Sequence, residues 1–172
     1  MRKVILFIII AIAYVLQTTV FQYFDFANIS PDLLIIIVVS FGLMRGKREG
    51  FIVGFFCGLI LDIFFGNYLG VYALIYMYLG LLNGIFQNWF YPDDFKLPFL
   101  LIFVSDFVKN IIVYFFMFMM RSRFSFGYYL KSIIIPEVVY TTVISLFIYW
   151  ILLKINQKLE VSEKRRAKKF DL

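Results

Sequence analysis

The chain has 172 residues, of which 63% are hydrophobic and 16% are charged, and its formal net charge is +6. A soluble domain is nearer half apolar and a quarter charged, and the apolar blocks here are too long for ordinary core helices. Having a single Cys, Cys57, excludes an internal disulfide, and having no His removes the commonest metal ligand and general base. The composition therefore predicts an all-α integral membrane protein with no cofactor.

Six apolar blocks predict six transmembrane helices within a membrane domain spanning residues 1–154. The predicted spans are residues 4–24, 33–44, 51–65, 69–90, 97–120 and 132–153, and a basic tail follows over residues 155–172. The second and third blocks reach only about 18 and 22 Å at 1.5 Å per residue, less than the roughly 30 Å hydrocarbon core. They form either two short spans or a re-entrant hairpin. The basic turn from Arg45 to Arg48 favours two spans.

The positive charges predict the orientation. With a cytoplasmic N-terminus, thirteen Lys and Arg residues fall inside, and three fall outside: Arg121, Arg123 and Lys131. This bias follows the positive-inside rule and places both termini in the cytoplasm. The basic tail either lies as a helix on anionic headgroups or is a solvated segment that enforces the topology.

Small residues recur every fourth position in the third block. They are Gly50, Gly54, Gly58 and Gly66, with Asp62 in the same register. Each step of four turns a helix about 40° past a full circle, so these positions form a stripe that another backbone can approach closely. A second pair, Gly80 and Gly84, lies in the fourth block. We expect the third and fourth helices to pack through these faces, or the stripe to form a groove for a partner helix.

Ionisable residues inside the spans form the other pattern of interest. Asp62 lies near the end of its helix, where the helix dipole disfavours an anion, so it needs a local donor such as the following loop amides or Asn67. Asp106 can pair with Lys109 one helical turn away, beside Asn110, and Glu137 lies in the last span. These side chains form either a neutralised network that fixes helix register, or a proton or cation path, or a polar ligand pocket. No nucleophile–base arrangement is present, so we predict no enzymatic activity.

The stretch from Ser30 to Gly84 resembles the rod shape-determining protein MreD family. The matching positions are Pro31, Asp32, Gly54, Gly58, Leu59, Asp62, Gly66, Leu69 and Gly70, and Gln17 and Pro136 also fit. The family usually carries an Asn shortly after the proline of its last helix. This chain has Tyr140-Thr141-Thr142 there, so no role is carried over to that position.

The resemblance implies a non-enzymatic scaffold of the cell-elongation machinery, located in the bacterial cytoplasmic membrane. Such proteins associate with MreC and act alongside MreB and the synthase formed by RodA and penicillin-binding protein 2, and nucleic acid is not among the expected partners. The fold implied is similar to the substrate-binding S component of energy-coupling-factor vitamin transporters, which supplies the main rival function. A proton-coupled carrier using Asp106, Lys109 and Glu137 is a third hypothesis.

Overall fold

The computed structural model describes residues 2–20, 30–66, 69–91, 95–119 and 126–170, and these residues form helices without a strand. The helices are α1 (Arg2–Val15), α2 (Leu33–Arg45), α3 (Lys47–Phe65), α4 (Val71–Asn83), α5 (Lys96–Met119), α6 (Phe126–Tyr129) and α7 (Ile135–Phe170). Three of them are extended by other helical turns: α1 by the π-helix Leu16–Val20, α4 by the 3-10 helix Gly84–Trp89 and α7, at its start, by the π-helix Leu130–Ile134.

Helix α2 is the centre of the bundle. Every residue from Leu33 to Met44 is buried, because α1, α3, α4, α5 and α7 all contact this helix. Its sequence is apolar around the whole circumference, as expected for a helix enclosed by other helices. The hydroxyl of Ser40 is satisfied within the helix by donating to the carbonyl of Ile36 at 2.6 Å.

Helices α3 and α4 form an antiparallel pair in which glycines meet backbone. Along this contact Gly50 faces Gly80, Gly54 faces the carbonyl of Tyr76, and Gly58 faces the carbonyl of Tyr72. A Cβ atom at Gly50, Gly54 or Gly58 would overlap these carbonyl oxygens, so any side chain would force the two helices apart. The expected packing of the two glycine faces on each other is the arrangement the structure shows.

Two helices are long and apolar enough to cross a membrane, covering Lys96–Phe116 and Gly127–Ser162. Two further apolar helical segments, Val4–Val20 and Leu33–Arg45, are shorter. Six full-length spans are therefore not shown among the described residues. The physical reason is helix length, since the 13 residues of α2 extend only about 20 Å.

The last helix does not end where its apolar block ends. Helix α7 is 36 residues long in total. It passes the predicted boundary at Lys154 and continues into the basic tail as far as Phe170. The outer loop that was predicted to precede it lies partly outside the described residues, including Arg121, Arg123 and Phe124.

Candidate functional site

A buried group of charged side chains lies where five helices meet. The ammonium of Lys109 on α5 is at its centre, with Nζ 2.7 Å from Oδ2 of Asp32 and 2.8 Å from Oδ1 of Asp106. The same Nζ lies 2.9 Å from Oε1 of Glu137. The side chain of Lys109 is 5% exposed, and those of Asp32, Asp106 and Glu137 are 6%, 0% and 17% exposed. We call these four residues the Lys109 cluster.

Asp32 connects the Lys109 cluster to the surrounding backbone. Its Oδ1 accepts hydrogen bonds from the amides of Leu34 and Ile35 at 3.1 and 3.2 Å and so caps the N-terminus of α2. Its Oδ2 accepts from the hydroxyl of Tyr76 on α4 as well as from Lys109. One carboxylate therefore joins α2, α4 and α5.

Neighbouring polar groups add α1 and α7 to the same junction. The amide of Leu33 donates to the side-chain oxygen of Gln17 at 3.0 Å, and the amide of Asp32 donates to the hydroxyl of Thr141 at 3.1 Å. The amides at the start of α2 are thus satisfied by its own N-cap, Asp32, and by side chains from two other helices, α1 and α7. These hydrogen bonds stabilise the fold, because an unpaired backbone group at a buried helix end raises the free energy of the folded state.

The structure brings Asp106, Lys109 and Glu137 together, and Asn110 donates to Oδ1 of Asp106 at 3.4 Å. Sequence reasoning missed Asp32 and Tyr76 as members of this network. The burial of Asp32 could have been predicted from the sequence. An acid at the N-cap of a helix that is apolar on every side is expected to be buried together with that helix. For Tyr76 the indication was weaker: it lies four residues before Gly80, and therefore on the helix face that was predicted to be in close contact.

An open cavity of about 330 Å³ lies beside the Lys109 cluster. Its polar lining includes Gln17, Asp32, Lys109, Asn110 and Glu137, and its aromatic lining is formed by Phe65, Tyr72, Tyr76 and Tyr129. Under the predicted topology this cavity is at the outer ends of the helices. Its size and mixed lining are those of a small-molecule site.

The three carboxylates of the Lys109 cluster each bring one oxygen within 4.8 Å of the others, a spacing that a metal ion could use. The ammonium of Lys109 contacts all three carboxylates, at distances up to 2.9 Å. The lysine therefore takes the position that a metal would need. The cluster is better described as a charge network than as a metal centre.

The family model described as rod shape-determining protein MreD matches residues 1–159. The chain belongs to the MreD family. This is a family of membrane proteins that determine rod shape, and it is not known as an enzyme family. No curated protein and no solved structure matches the chain, so the likeness to the vitamin-transporter S component stays a prediction.

Most of the positions that carried the MreD resemblance lie at helix ends or at the contact between α3 and α4. Pro31 and Asp32 directly precede α2, with Asp32 as its N-cap, and Gly54 and Gly58 are two of the points where α3 meets the backbone of α4. Gly66 ends α3, while Gly70, with a φ of 104°, begins α4.

Asp62, the acidic position of the MreD resemblance, binds the beginning of the next helix. Its Oδ1 accepts from the amide of Tyr72 at 3.0 Å and its Oδ2 from the amide of Ala73 at 2.8 Å. These amides open α4, where the helix dipole favours a negative charge. The predicted donors were loop amides and Asn67. The observed donors lie just after that loop, and Asn67 lies outside the described residues.

Proposed function

We propose that the chain is a non-enzymatic membrane scaffold of the bacterial cell-elongation machinery, which binds an MreC-like partner and supports peptidoglycan synthesis and the regulation of cell shape. The observation that carries this proposal is the MreD family match over residues 1–159. MreB, RodA and penicillin-binding protein 2 are its direct or indirect associates. The protein would lie in the cytoplasmic membrane as six helices with both termini inside.

The physical character of the chain supports a scaffold. Most described residues lie in helices, and the connections between these helices are short, so the protein offers helix faces rather than a separate soluble domain. Its glycine faces are filled by the contact between α3 and α4. We infer that Gly50, Gly54 and Gly58 serve partner binding by fixing how α3 lies against α4, so that the pair presents one defined outer surface.

Leucine substitutions in the glycine stripe test this proposal. Gly54→Leu and Gly58→Leu would push α3 away from α4, because each side chain would meet the backbone of Tyr76 or Tyr72. We expect mild-detergent purification of either variant to recover much less of the MreC-like protein encoded in the same genome than purification of wild type.

Gly127→Leu is the matched control, since a Cβ atom there meets nothing within 4 Å. It should accumulate normally and retain the partner. If Gly54→Leu and Gly58→Leu accumulate and co-purify as wild type does, the α3–α4 pair does not shape the docking surface. If wild type itself recovers no MreC-like protein, the scaffold proposal loses its central partner.

The cavity of about 330 Å³ favours a second candidate, a substrate-binding S component of a vitamin transporter. Such a protein would retain a vitamin on purification and would be stabilised by it. Native mass spectrometry without a bound vitamin, together with an unchanged melting temperature across a vitamin panel, would count against this candidate.

A further inference from the structure

The charges around the cavity do not balance. The Lys109 cluster contains three carboxylates and one ammonium, and Lys109 is the one positively charged side chain among the described residues lining the cavity. With all groups ionised, two negative charges remain. Uncompensated charge inside a membrane protein is costly, so this excess favours a further cation or bound protons.

The existing hydrogen bonds leave part of this excess unsatisfied. Asp32 is saturated by two amides, the hydroxyl of Tyr76 and Lys109. By contrast, Oδ2 of Asp106 is buried and has no hydrogen-bond partner. Buried polar atoms in native proteins are nearly always paired, and Asp106 is absent from the residues lining the cavity, so a bound proton is what this oxygen needs. That proton would leave one negative charge of the Lys109 cluster for a cation to balance.

The added cation belongs in the cavity rather than at the centre of the Lys109 cluster. Lys109 already holds the position between the carboxylates, within 2.9 Å of each. Glu137 is the most exposed of the three acids and lines the cavity, so it is the acid most accessible from that space. A cation entering the cavity would therefore meet Glu137 first.

The remaining lining indicates which kind of cation fits. Tyr72, Tyr76 and Tyr129 contribute aromatic rings, and ring faces attract organic ammonium groups. Gln17 and Asn110 add amide oxygens that can accept hydrogen bonds. A cavity of about 330 Å³ also exceeds what a single metal ion needs and accommodates several carbon atoms.

We propose that the cavity beside the Lys109 cluster binds a primary ammonium group on a small organic body, with Glu137 as its counter-ion and the neighbouring tyrosines around it. The group could come from a free diamine or from the headgroup of an aminophospholipid, because the cavity opens among membrane helices. This site is independent of the scaffold function, since it requires no protein partner.

Binding of 1,4-diaminobutane to the purified full-length chain tests the proposal, with 1,4-butanediol as the uncharged probe of the same length. We expect the diamine to raise the melting temperature saturably and the diol to leave it unchanged. In parallel, native mass spectrometry from nanodiscs should show phosphatidylethanolamine retained over phosphatidylglycerol if the headgroup is the source. Retention of the lipid without diamine binding assigns the site to the headgroup. Diamine binding without retention of the lipid assigns the site to a free amine.

Glu137→Gln should weaken binding of whichever probe is retained by roughly ten- to hundredfold, the loss typical of one charged hydrogen bond. Glu160→Gln is the control, because Glu160 lies on the same helix, pairs with Asn156 and is absent from the cavity lining. The proposal is overturned if wild type binds neither ammonium probe, if it does not distinguish diamine from diol, or if a folded Glu137→Gln variant binds as wild type does. Should Glu137→Gln fail to fold, the discrimination between charged and uncharged probes by wild type decides the matter.

Discussion

At the scale of single residues, Lys109 holds together the carboxylates buried between the helices. It is buried, and its ammonium is the shared partner of Asp32, Asp106 and Glu137. Its pairing with Asp106 could be predicted from sequence, because residues three apart on one helix face each other. Its pairing with Asp32 could not, because 77 positions separate the two residues and only the packing of α2 against α5 brings them together.

Removing the Lys109 ammonium should destabilise the protein strongly. Lys109→Met leaves three acids without their common partner, and breaking a buried ion pair costs about 3–5 kcal/mol. The double variant Lys109→Met/Asp106→Asn removes one of the stranded charges and should recover part of that loss. Reversible unfolding in mixed micelles, followed by circular dichroism, measures both.

Lys158→Met is the control for this experiment, because Lys158 is exposed on α7. It should unfold like wild type. A Lys109→Met variant as stable as Lys158→Met would show that the acids of the cluster are neutral without the lysine.

Asp62 gives a second prediction for a single residue. Asp62→Ala would leave the amides of Tyr72 and Ala73 without their acceptors, and loss of such a cap costs about 1–3 kcal/mol. Asp62→Asn keeps one acceptor oxygen and should lose less. Hydrogen exchange should show faster exchange of these two amides in Asp62→Ala, and unchanged exchange would contradict the capping role.

At the scale of elements, the glycine spacing predicted a close helix contact but could not decide between the fourth helix of this chain and a partner helix. A repeat of four residues indicates which face of α3 makes the contact. Which helix lies against that face depends on the turn that follows α3. That turn is made by Gly66 and Gly70, and Asp62 bridges it by binding the start of α4. The glycines of α3 therefore face α4 because the intervening connection is short and held at both ends.

The backbone of Gly70 permits a specific prediction about this turn. Its φ of 104° is one that side chains rarely adopt, although a Cβ atom there would meet nothing within 4 Å. Gly70→Ala should therefore cost about 1–2 kcal/mol through backbone strain alone. Gly127→Ala, also in open space but in a helix, should be neutral or slightly stabilising. Equal melting temperatures for the two variants would be inconsistent with this assignment.

At the scale of the whole molecule, hydropathy predicted the helical class and the approximate position of every described helix except α6, which lies in the segment between the last two predicted spans. It could not distinguish a helix that faces lipid from one that faces protein, because both are apolar. Helix α2 is the clearest case, since it was predicted as a short span and is enclosed by five other helices. Its short length is acceptable because polar side chains of its neighbours meet both ends: Gln17 and Thr141 bind the first amides, and Asn156 accepts from Arg45 at the last residue.

The continuous length of α7 has a mechanical consequence. Its 36 residues extend about 54 Å, which exceeds a hydrocarbon core of roughly 30 Å by about 24 Å. Under the predicted topology, the part of α7 beyond the hydrocarbon core extends into the cytoplasm as a continuous helix that carries positive charge. A tilt of about 10° within the membrane would move its tip sideways by about 4 Å, given the rise per residue of a helix. A small rearrangement around Glu137, near the opposite end of the same helix, would thus displace the cytoplasmic end of α7, because the helix between them is continuous.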